Sequence, residues 1–447
     1  MNSEGQLQFF SMEGLLARGQ SSTVTDRRAS WTGVEAHEKS SAVCAWLRAL
    51  DLGERTVALE VPSGRDWLAA AAGTLMAGQR LAPVNSQWPP TLREMSLDGA
   101  LHVTPDVLES VYADSEGDGL RENLPEGQGL ESSLLLMTSG STSSPVPVAH
   151  TASSIFAQAS LGAGAVGLTS GSHWLIPMPM VHAGGIGAVV RCIHASAEMT
   201  LLADFDADEC RQLIEGRGDN NPITHVSLVP TMLRRLLDVG LSNPSELQMA
   251  VIGGAPLDDD LRNEALAQGI PVRESWGMTE TLGLISICRS DSDTGAGQLL
   301  EGLELRMGED SELQIKGPTI APESRGADGW LATRDVGFLQ DGCVQISGRL
   351  GTVIISGGEN ISPERVEEAL RGLTGIEDAA VFGVSDPIWG QRVEANIVLA
   401  PGVALSEAQV LSLLSGMLSP WEIPKAVQVV ESVPRGPLGK IDRTQIG

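Results

Sequence analysis

The chain has 447 residues, more than one hydrophobic core normally serves, so its length predicts two or three domains. Acidic residues outnumber basic ones by 57 to 30, and the formal charge of −27 excludes nucleic acid and anionic membrane surfaces as expected partners. Five scattered cysteines without a CxxC pair indicate reduced thiols rather than disulfides or a zinc site. No basic signal segment opens the chain and no apolar run reaches the roughly 18 residues of a membrane helix, so we expect a soluble, cytoplasmic protein.

Mixed helices and strands are predicted for the first part of the chain. Residues 40–50 and 67–77 have helical apolar spacing, and Gly78 is a typical helix stop. Residues 56–61 form a short apolar strand that runs into a turn. The acidic, glycine-rich stretch at 114–128 is predicted to be a surface loop.

Apolar strands then alternate with helices, which predicts parallel sheets covered on both faces. The predicted strands are 134–137, 174–177, 199–202, 225–229 and 249–252, and the predicted helices are 231–239 and 257–268. Residues 299–315 and 342–346 change to short strands with polar turns, which is typical of an antiparallel barrel or sheet.

The pattern of predicted helices and strands changes again after Arg349. Helices are predicted at 363–371 and 406–418, and strands at 379–384 and 394–399, which is enough for a small α+β domain. The predicted fold class is therefore α/β, with a large N-terminal domain at 1–349 and a small C-terminal domain at 350–447.

The first candidate motif lies where the strand at 134–137 ends. It runs into the residues Thr138, Ser139, Gly140, Ser141 and Thr142. Backbone N–H groups and hydroxyls in such a loop supply the donors that cradle phosphate groups. Taken alone, the same composition also describes an ordinary Ser/Thr turn.

The second motif combines an aromatic residue, a glycine and a Thr-Glu pair. It contains Trp276, Gly277, Met278, Thr279 and Glu280. A ring that stacks, a backbone that a ligand can approach and a carboxylate that holds magnesium would fit a nucleotide. A capped helix start is the alternative interpretation.

Three further motifs lie toward the C-terminus. Asp335 could accept hydrogen bonds from both ribose hydroxyls with Arg349 beside it, although a surface hairpin with an ion pair has the same pattern. Residues 355–363 are glycine-rich and contain Gly357 and Gly358, and residues 434–443 contain Lys440.

In this order and spacing the motifs resemble those of the adenylate-forming superfamily, which includes acyl-CoA synthetases, luciferases and the adenylation domains of peptide synthetases. The resemblance covers the chain from about Trp31 onward. It implies a large α/β domain with a β-barrel part and a mobile C-terminal domain. It also implies a two-step reaction in which a carboxylate is joined to AMP, the C-terminal domain rotates and a thiol attacks the mixed anhydride.

The resemblance also implies a role for each motif residue. The nucleotide would be bound by Thr138, Ser139, Gly140, Ser141, Thr142, Gly253, Gly254, Ala255, Pro256, Trp276, Gly277, Met278, Thr279, Asp335 and Arg349. The catalytic residues would be Lys440 at the carboxylate and α-phosphate, His182 beside the acyl group, and Glu280, which would also bind the metal. Coenzyme A would pass Gly357, Gly358 and Glu359, and the hinge would be Gly351. The implied cofactors are coenzyme A, the AMP moiety of an acyl-adenylate or ATP, and Mg²⁺ where adenylation is retained.

The phosphate loop departs from the family pattern Gly-x-Pro-Lys-Gly. Ser143, Val146 and Pro147 stand at its glycine, lysine and second glycine positions. Losing a charge-assisted contact costs about 1.5–3 kcal/mol, or about one to two decades in rate. A ready-made acyl-adenylate has no outer phosphates and is unaffected. The sequence thus predicts an acyl-CoA ligase that forms a thioester from an acyl-adenylate and coenzyme A, with ATP-dependent adenylation impaired or lost.

Other interpretations stay open. A complete ATP-dependent carboxylate–CoA ligase, of the succinylbenzoate or fatty/aryl-acid type, would bind ATP through backbone donors, and the presence of Lys440 and Glu280 favours it. An amino-acid-loading module would need an acid near His182, and residues 181–191 contain none. Asp335, Arg349, Gly358 and Lys440 together argue against a non-catalytic relative that only binds nucleotide or a partner. The expected partners are a small acyl-adenylate or carboxylic acid and, if adenylation is lost, a separate adenylating enzyme.

Overall fold

The computed structural model divides the chain into two compact units. It describes residues 23–53, 55–86, 88, 93–94, 97–115, 133–137, 146–216, 221–290, 293–350, 354–356, 359–387, 389–415, 417–418, 420–435 and 441–446. The first unit comprises the described residues up to 304 together with 316–331, and the second comprises 305–315 and those from 332 onward. The domain division predicted between residues 349 and 350 stays a prediction.

Helices and strands alternate along the described residues. The helices are α1 Gly33–Ala49, α2 Arg65–Met76, α3 Pro105–Ser115, α4 Ala152–Ala165, α5 Ala183–Ala195, α6 Ala207–Ile214, α7 Pro230–Asp238, α8 Asp259–Ala267, α9 Pro363–Arg371 and α10 Glu407–Leu414. The strands up to residue 287 are β1 Thr23–Thr25, β2 Ser30–Thr32, β3 Thr56–Leu59, β4 Arg80–Pro83, β5 Leu101–Val103, β6 Ser133–Met137, β7 Pro147–Thr151, β8 His173–Ile176, β9 Glu198–Leu201, β10 His225–Leu228, β11 Met249–Ile252, β12 Val272–Met278 and β13 Gly283–Ile287. The later strands are β14 Gln298–Leu299, β15 Glu304–Met307, β16 Glu312–Lys316, β17 Leu331–Gln340, β18 Cys343–Arg349, β19 Ile354–Ser356, β20 Glu359–Ile361, β21 Ile376–Asp386, β22 Gly390–Leu399 and β23 Ala426–Val429.

Two sheets build the first unit. One has the order β5-β3-β4-β6-β7, and only β7 in it runs antiparallel to its neighbour. The other has the order β14-β13-β12-β11-β10-β8-β9-β1-β2, in which the strands from β12 to β1 are parallel. The parallel sheets that the alternation of elements predicted are therefore confirmed.

Apolar packing explains why these strands lie at the centre of the unit. Every side chain of β8 and of β10 is buried, as expected for parallel strands covered on two faces. Leu233 and Leu236 of α7 and Leu261 of α8 pack into one core with Val226 and Ile252. The strands predicted at 174–177, 225–229 and 249–252 lie within a residue of those observed.

Helix α1 is longer than the sequence pattern indicated. It begins at Gly33 because Thr32 and Glu35 form a capping box, whereas the apolar spacing predicted a start at residue 40. Helix α2 ends at Met76, and Gly78 follows with a φ of +76°, so the predicted glycine stop is confirmed.

The second unit contains antiparallel strands and an α+β core. The strands β15-β16-β17-β18 are neighbours in that order, and β17 pairs antiparallel with β18. A five-stranded sheet has the order β20-β19-β22-β21 with β23 beside β22. Val366 and Leu370 of α9 pack on this sheet with Val381, Ile397 and Val410. The small α+β part predicted from the sequence is confirmed.

The α/β fold class predicted from the sequence is confirmed. All five cysteines are buried free thiols. Among the described residues, no helix is both long and apolar enough to span a bilayer. The predicted acidic loop falls largely outside the described residues, which resume at 133.

Candidate nucleotide and acyl site

The predicted site residues of the first unit lie where its parallel strands end. Strands β8, β10, β11 and β12 are parallel neighbours, so their carboxyl ends lie at one edge of the sheet. His182 follows β8, Gly253 follows β11 and Thr279 follows β12. The loops touch one another, since a Cβ on Gly254 would lie 3.4 Å from Val229 Cγ1, just after β10. This edge is the usual ligand site of open α/β sheets.

A stretch of exposed backbone follows β11. A Cβ on Gly253 would lie 2.9 Å from Ser275 Oγ, and Ser275 donates this hydroxyl to the carbonyl oxygen of Ile252 at 2.9 Å. Gly254 has a φ of +80°, which favours glycine, and Gly254, Ala255 and Pro256 are exposed. A flat ring can lie against such a backbone, so this loop fits the predicted adenine site.

Strand β12 turns its aromatic residue into the core. Trp276 is buried, and the ladder with β13 is irregular between Trp276 and Gly277. A Cβ on Gly277 would lie 2.3 Å from the carbonyl oxygen of Gly283. Only glycine permits this close approach, and it leaves Met278 half-buried at the end of the strand.

A single 3₁₀ turn, Thr279–Thr281, carries the predicted phosphate and magnesium ligands. All three of its carbonyl oxygens accept hydrogen bonds: Thr279 from His150 Nε2 at 2.7 Å, Glu280 from the Ala321 N–H at 2.8 Å, and Thr281 from Gln158 Nε2 at 2.7 Å. The side chains of Thr279 and Glu280 are half-buried. Magnesium in nucleotide sites takes one or two carboxylates and completes its shell with phosphates and water, so one glutamate fits.

His182 lies at the N-terminal cap of α5 and its side chain is exposed. The helix that follows packs against the end of the 3₁₀ turn. A Cβ on Gly187 would lie 2.7 Å from the carbonyl oxygen of Leu282, and one on Gly283 would lie 3.4 Å from that of Ala183. The structure therefore brings His182 and the Thr279–Thr281 turn to the same region of the first unit.

Arg191 is a buried cation in α5 that the sequence analysis did not select. Its side chain is 2% exposed, and its Nε and Nη1 have no hydrogen-bond partner among the residues that the structure describes. The guanidinium carbon lies 5.1 Å from the centre of the Trp174 ring. A Cβ on Gly187 would lie 3.2 Å from Arg191 Nη1. The sequence signal was available: Arg191 is the one permanent charge in a helix of alanine, glycine and aliphatic residues.

In the second unit, Asp335 and Arg349 are Cα partners on β17 and β18. Arg349 Nε lies 3.8 Å from Asp335 Oδ1, and the aspartate side chain is the more buried of the two. The Asp335 N–H donates to Thr333 Oγ1 at 3.0 Å, and Thr333 is fully buried. The two residues predicted at the ribose are thus neighbours, held by the hairpin.

Several predicted site residues lie outside the described residues. They are Thr138, Ser139, Gly140, Ser141, Thr142, Gly351, Gly357, Gly358 and Lys440. Glu359 lies in β20, where its backbone pairs with Ser356. The roles predicted for these residues stay predictions.

Comparison with known proteins identifies the family. Residues 101–334 match the model of the AMP-binding enzyme family, and residues 365–440 match that of the AMP-binding enzyme C-terminal domain. The 2-succinylbenzoate–CoA ligase of Bacillus cereus is 29% identical over 453 residues, covering 93% of this chain and 92% of that protein. The ligase of the same name from Bacillus cytotoxicus is 32% identical over 342 residues, covering 71% and 70%.

A solved structure shows the same fold. The o-succinylbenzoate CoA synthetase of Bacillus subtilis in complex with the acyl-adenylate intermediate OSB-AMP superposes with a TM-score of 0.83 at 24% identity, covering 97% of both chains. The same synthetase has been solved with ATP and a magnesium ion.

The chain belongs to the AMP-binding enzyme family, whose model matches more than half of its length. Within that family it is an acid–thiol ligase of the acyl-CoA synthetase type. The family resemblance and the enzyme class predicted from the motifs are both confirmed.

Proposed function

We propose that this chain is a complete ATP-dependent ligase that joins coenzyme A to an aromatic keto acid with a second carboxylate, of the 2-succinylbenzoate type. The observation that supports this substrate class is the buried charge of Arg191. The similarity to 2-succinylbenzoate–CoA ligases along nearly the whole chain supports the complete reaction. It favours this interpretation over the loss of adenylation that the phosphate loop suggested.

Arg191 has the properties of a binding group for an anion. Burial lowers the pKa of its guanidinium to about 10, so the side chain remains a cation at neutral pH. A buried cation without a counter-ion is costly, and an incoming carboxylate would offset that cost through charge-assisted hydrogen bonds. Gln158 Oε1, which has no hydrogen-bond partner among the described residues, lies on the same side of Gly162 as the Arg191 stem. The guanidinium donors suit a carboxylate of the ligand, whereas Gln158 Oε1 is an acceptor and would take a hydrogen bond from a bound water.

The remaining roles follow the position of each residue. Asp335 would accept hydrogen bonds from the ribose hydroxyls, and the exposed backbone at Gly254 would face the base. Thr279 would donate to a phosphate oxygen, and Glu280 would hold the magnesium ion, which neutralises charge on the phosphates. Lys440 is predicted to contact the carboxylate as it attacks the α-phosphate of ATP, where the acyl–phosphate bond forms and pyrophosphate leaves with the electrons of the broken α–β anhydride bond. The thiolate of coenzyme A then attacks the acyl carbonyl, the thioester bond forms, and AMP leaves with the electrons of the broken anhydride bond.

The domain movement belongs to the same proposal. Residues 350–447 would rotate about Gly351 between the two half-reactions, so that Lys440 serves adenylation and the segment at Gly357 and Gly358 serves the thiol. Glycine at a hinge absorbs large changes of φ and ψ.

Two half-reaction assays with 2-succinylbenzoate test the reaction. One follows exchange of pyrophosphate into ATP, and the other supplies the synthetic acyl-adenylate with coenzyme A and follows the thioester. Activity in both supports a complete ligase. Thioester formation without exchange would instead establish the impaired adenylation predicted from Ser143, Val146 and Pro147, served by a separate adenylating enzyme. Activity in neither, with this acid and a panel of aryl and fatty acids, would favour the non-catalytic interpretation.

A substrate pair tests the role of Arg191. The analogue 4-oxo-4-phenylbutanoate keeps the succinyl carboxylate of 2-succinylbenzoate but lacks the carboxylate on the ring. We expect Arg191→Met to lower kcat/KM for 2-succinylbenzoate by about 100-fold, because a charge-assisted contact is lost, and to change that for the analogue by less than about threefold. An equal decrease of kcat/KM for both acids would show that Arg191 does not bind the second carboxylate.

A further inference from the structure

The Thr279–Thr281 turn is held by side chains that come from far away in the sequence. His150 and Gln158 are separated from the residues that they contact by 129 and 123 positions. Gln158 Nε2 also donates to the carbonyl oxygen of Leu284 at 2.8 Å, so both of its amide hydrogens are used across the end of the turn. Neither side chain is exposed to solvent.

Local structure places the two side chains on one buried face. His150 lies on β7, whose inward residues are Val148 and His150. Thr151 caps α4 immediately afterwards through the N–H of Ser154. Gln158 lies one helical turn beyond Ser154, so Ser154 and Gln158 share the face of α4 that is turned toward His150.

The hydrogen bond to Thr279 fixes the protonation of His150. A carbonyl oxygen accepts, so Nε2 carries the proton and donates, while Nδ1 carries the lone pair and lies 3.4 Å from Ser154 Oγ. Burial lowers the pKa of His150 to about 4, which keeps the ring neutral at pH 7. The contact is therefore a neutral, permanent hydrogen bond to the backbone.

We propose that His150 and Gln158 are positioning residues for the adenylation half-reaction, which fix the turn that presents Thr279 and Glu280 to the phosphates and the magnesium ion. The inference rests on the proposed function. Neither side chain touches the substrate; both act through the carbonyl oxygens of the turn. Shifts of about 1 Å in groups that orient a reaction can cost about 100-fold in rate, so the positions of these oxygens matter for the chemistry.

The two half-reactions separate positioning from general stability. Pyrophosphate exchange needs the magnesium ion and all three phosphates, whereas the supplied acyl-adenylate has a single phosphate. Loss of the His150 contact should therefore impair exchange far more than thioester formation. A residue that only stabilises the fold would lower both rates together.

His225 provides a matched control. It is also a buried histidine of the first unit, and its Nε2 donates to the carbonyl oxygen of Val166 at 3.1 Å rather than to a residue of the turn. Burial lowers its pKa as it does that of His150. His225→Phe and His150→Phe thus remove the same kind of contact from two different places.

The experiment compares wild type, His150→Phe, His150→Gln and His225→Phe in both assays. We expect His150→Phe to lower exchange by about 100-fold and thioester formation by about fivefold or less. His150→Gln keeps a neutral N–H donor and should recover most of the exchange. His225→Phe should lower both rates by the same small factor.

The outcomes are distinguishable. Equal losses of the two rates in His150→Phe, or the same selective loss in His225→Phe, would overturn the positioning role while the proposed function stands. Absence of exchange in the wild type would overturn the proposed function and this inference with it.

Discussion

Asp335 and Arg349 are opposed across the β17–β18 hairpin, and 3.8 Å separates Arg349 Nε from Asp335 Oδ1. At this distance the guanidinium attracts the carboxylate, whose oxygens are the kind of acceptor that binds hydroxyl groups. We expect Asp335→Asn to raise the dissociation constant of AMP by at least about tenfold, and Arg349→Met to raise it less because the arginine is more exposed. Isothermal titration measures both. Arg234→Met removes an exposed ion pair with Glu264 and serves as the control. Unchanged AMP affinity in Asp335→Asn would contradict the ribose assignment.

A substitution at Val146 can test whether the phosphate loop limits the use of ATP. Val146 stands at the position that the family resemblance assigns to a lysine, and its side chain is 56% exposed, so a lysine fits without a burial cost. If the missing cation limits ATP use, Val146→Lys should raise pyrophosphate exchange by about tenfold. Val34→Lys, at an exposed position on α1, controls for the added charge. Unchanged exchange would mean that the loop binds ATP through its backbone and hydroxyl donors.

The buried charge of Arg191 should lower the stability of the folded protein. Within the described part of the chain Arg191 has no ion pair, so replacing this buried charge with a side chain of similar length removes a desolvation cost, and we expect Arg191→Met to raise Tm by about 2–5 °C in the absence of substrate. Calorimetry of the two proteins measures the shift. A fall in Tm would show that the cation–π contact with Trp174 outweighs the cost of burying the charge.

His150 predicts a dependence of stability on pH. Its pKa is about 4 in the folded chain and 6.5 as the ordinary value, so the folded state binds its proton less readily than the unfolded state. The stability that it contributes is complete above pH 6.5 and is lost as the pH falls toward 4. When the pH is lowered from 7.5 to 5, the free energy of unfolding of the wild type should fall by about 2 kcal/mol more than that of His150→Gln. Urea unfolding at the two values provides the measurement, and identical losses would place the titrating group elsewhere.

Replacing glycine with alanine should change the stability of the protein in opposite directions at two positions. A Cβ on Gly277 would lie 2.3 Å from a backbone oxygen, so Gly277→Ala must displace β12 from β13 and should cost about 2–4 kcal/mol. A Cβ on Gly164 in α4 meets nothing within 4 Å, and Gly164→Ala should stabilise the helix by about 0.5–1 kcal/mol. The denaturant concentration at the midpoint of unfolding should fall in Gly277→Ala and rise in Gly164→Ala, and the opposite shift would contradict either prediction.

The sequence predicted the sheet strands well because their signal is local. Fully buried parallel strands such as β8 and β10 are short apolar runs bounded by polar turns, and the predicted bounds differ from the observed ones by at most one residue. Helices α4 and α5 were not predicted. Their glycine and alanine content gives little amphipathic contrast, and α5 is buried over most of its length.

The candidate site was predicted where a motif is continuous along the chain and missed where it depends on distant contacts. Gly253, Trp276 and Thr279 belong to recognisable stretches that β11 and β12 bring to one edge. His150 reads as one polar residue in an alternating strand, and nothing near it in sequence shows that its partner is the carbonyl oxygen of Thr279.

The three hydrogen bonds to the Thr279–Thr281 turn cannot all form at the same time while the chain is being synthesised. The donors lie at residues 150 and 158, well before the turn, and at Ala321, after it. Because a chain emerges from the ribosome N-terminus first, the sheet can form while the turn still lacks its last donor. We expect the Thr279–Thr281 turn to become rigid only once the segment around Ala321 has emerged, so in a partly synthesised chain the sheet would fold before this turn is fixed.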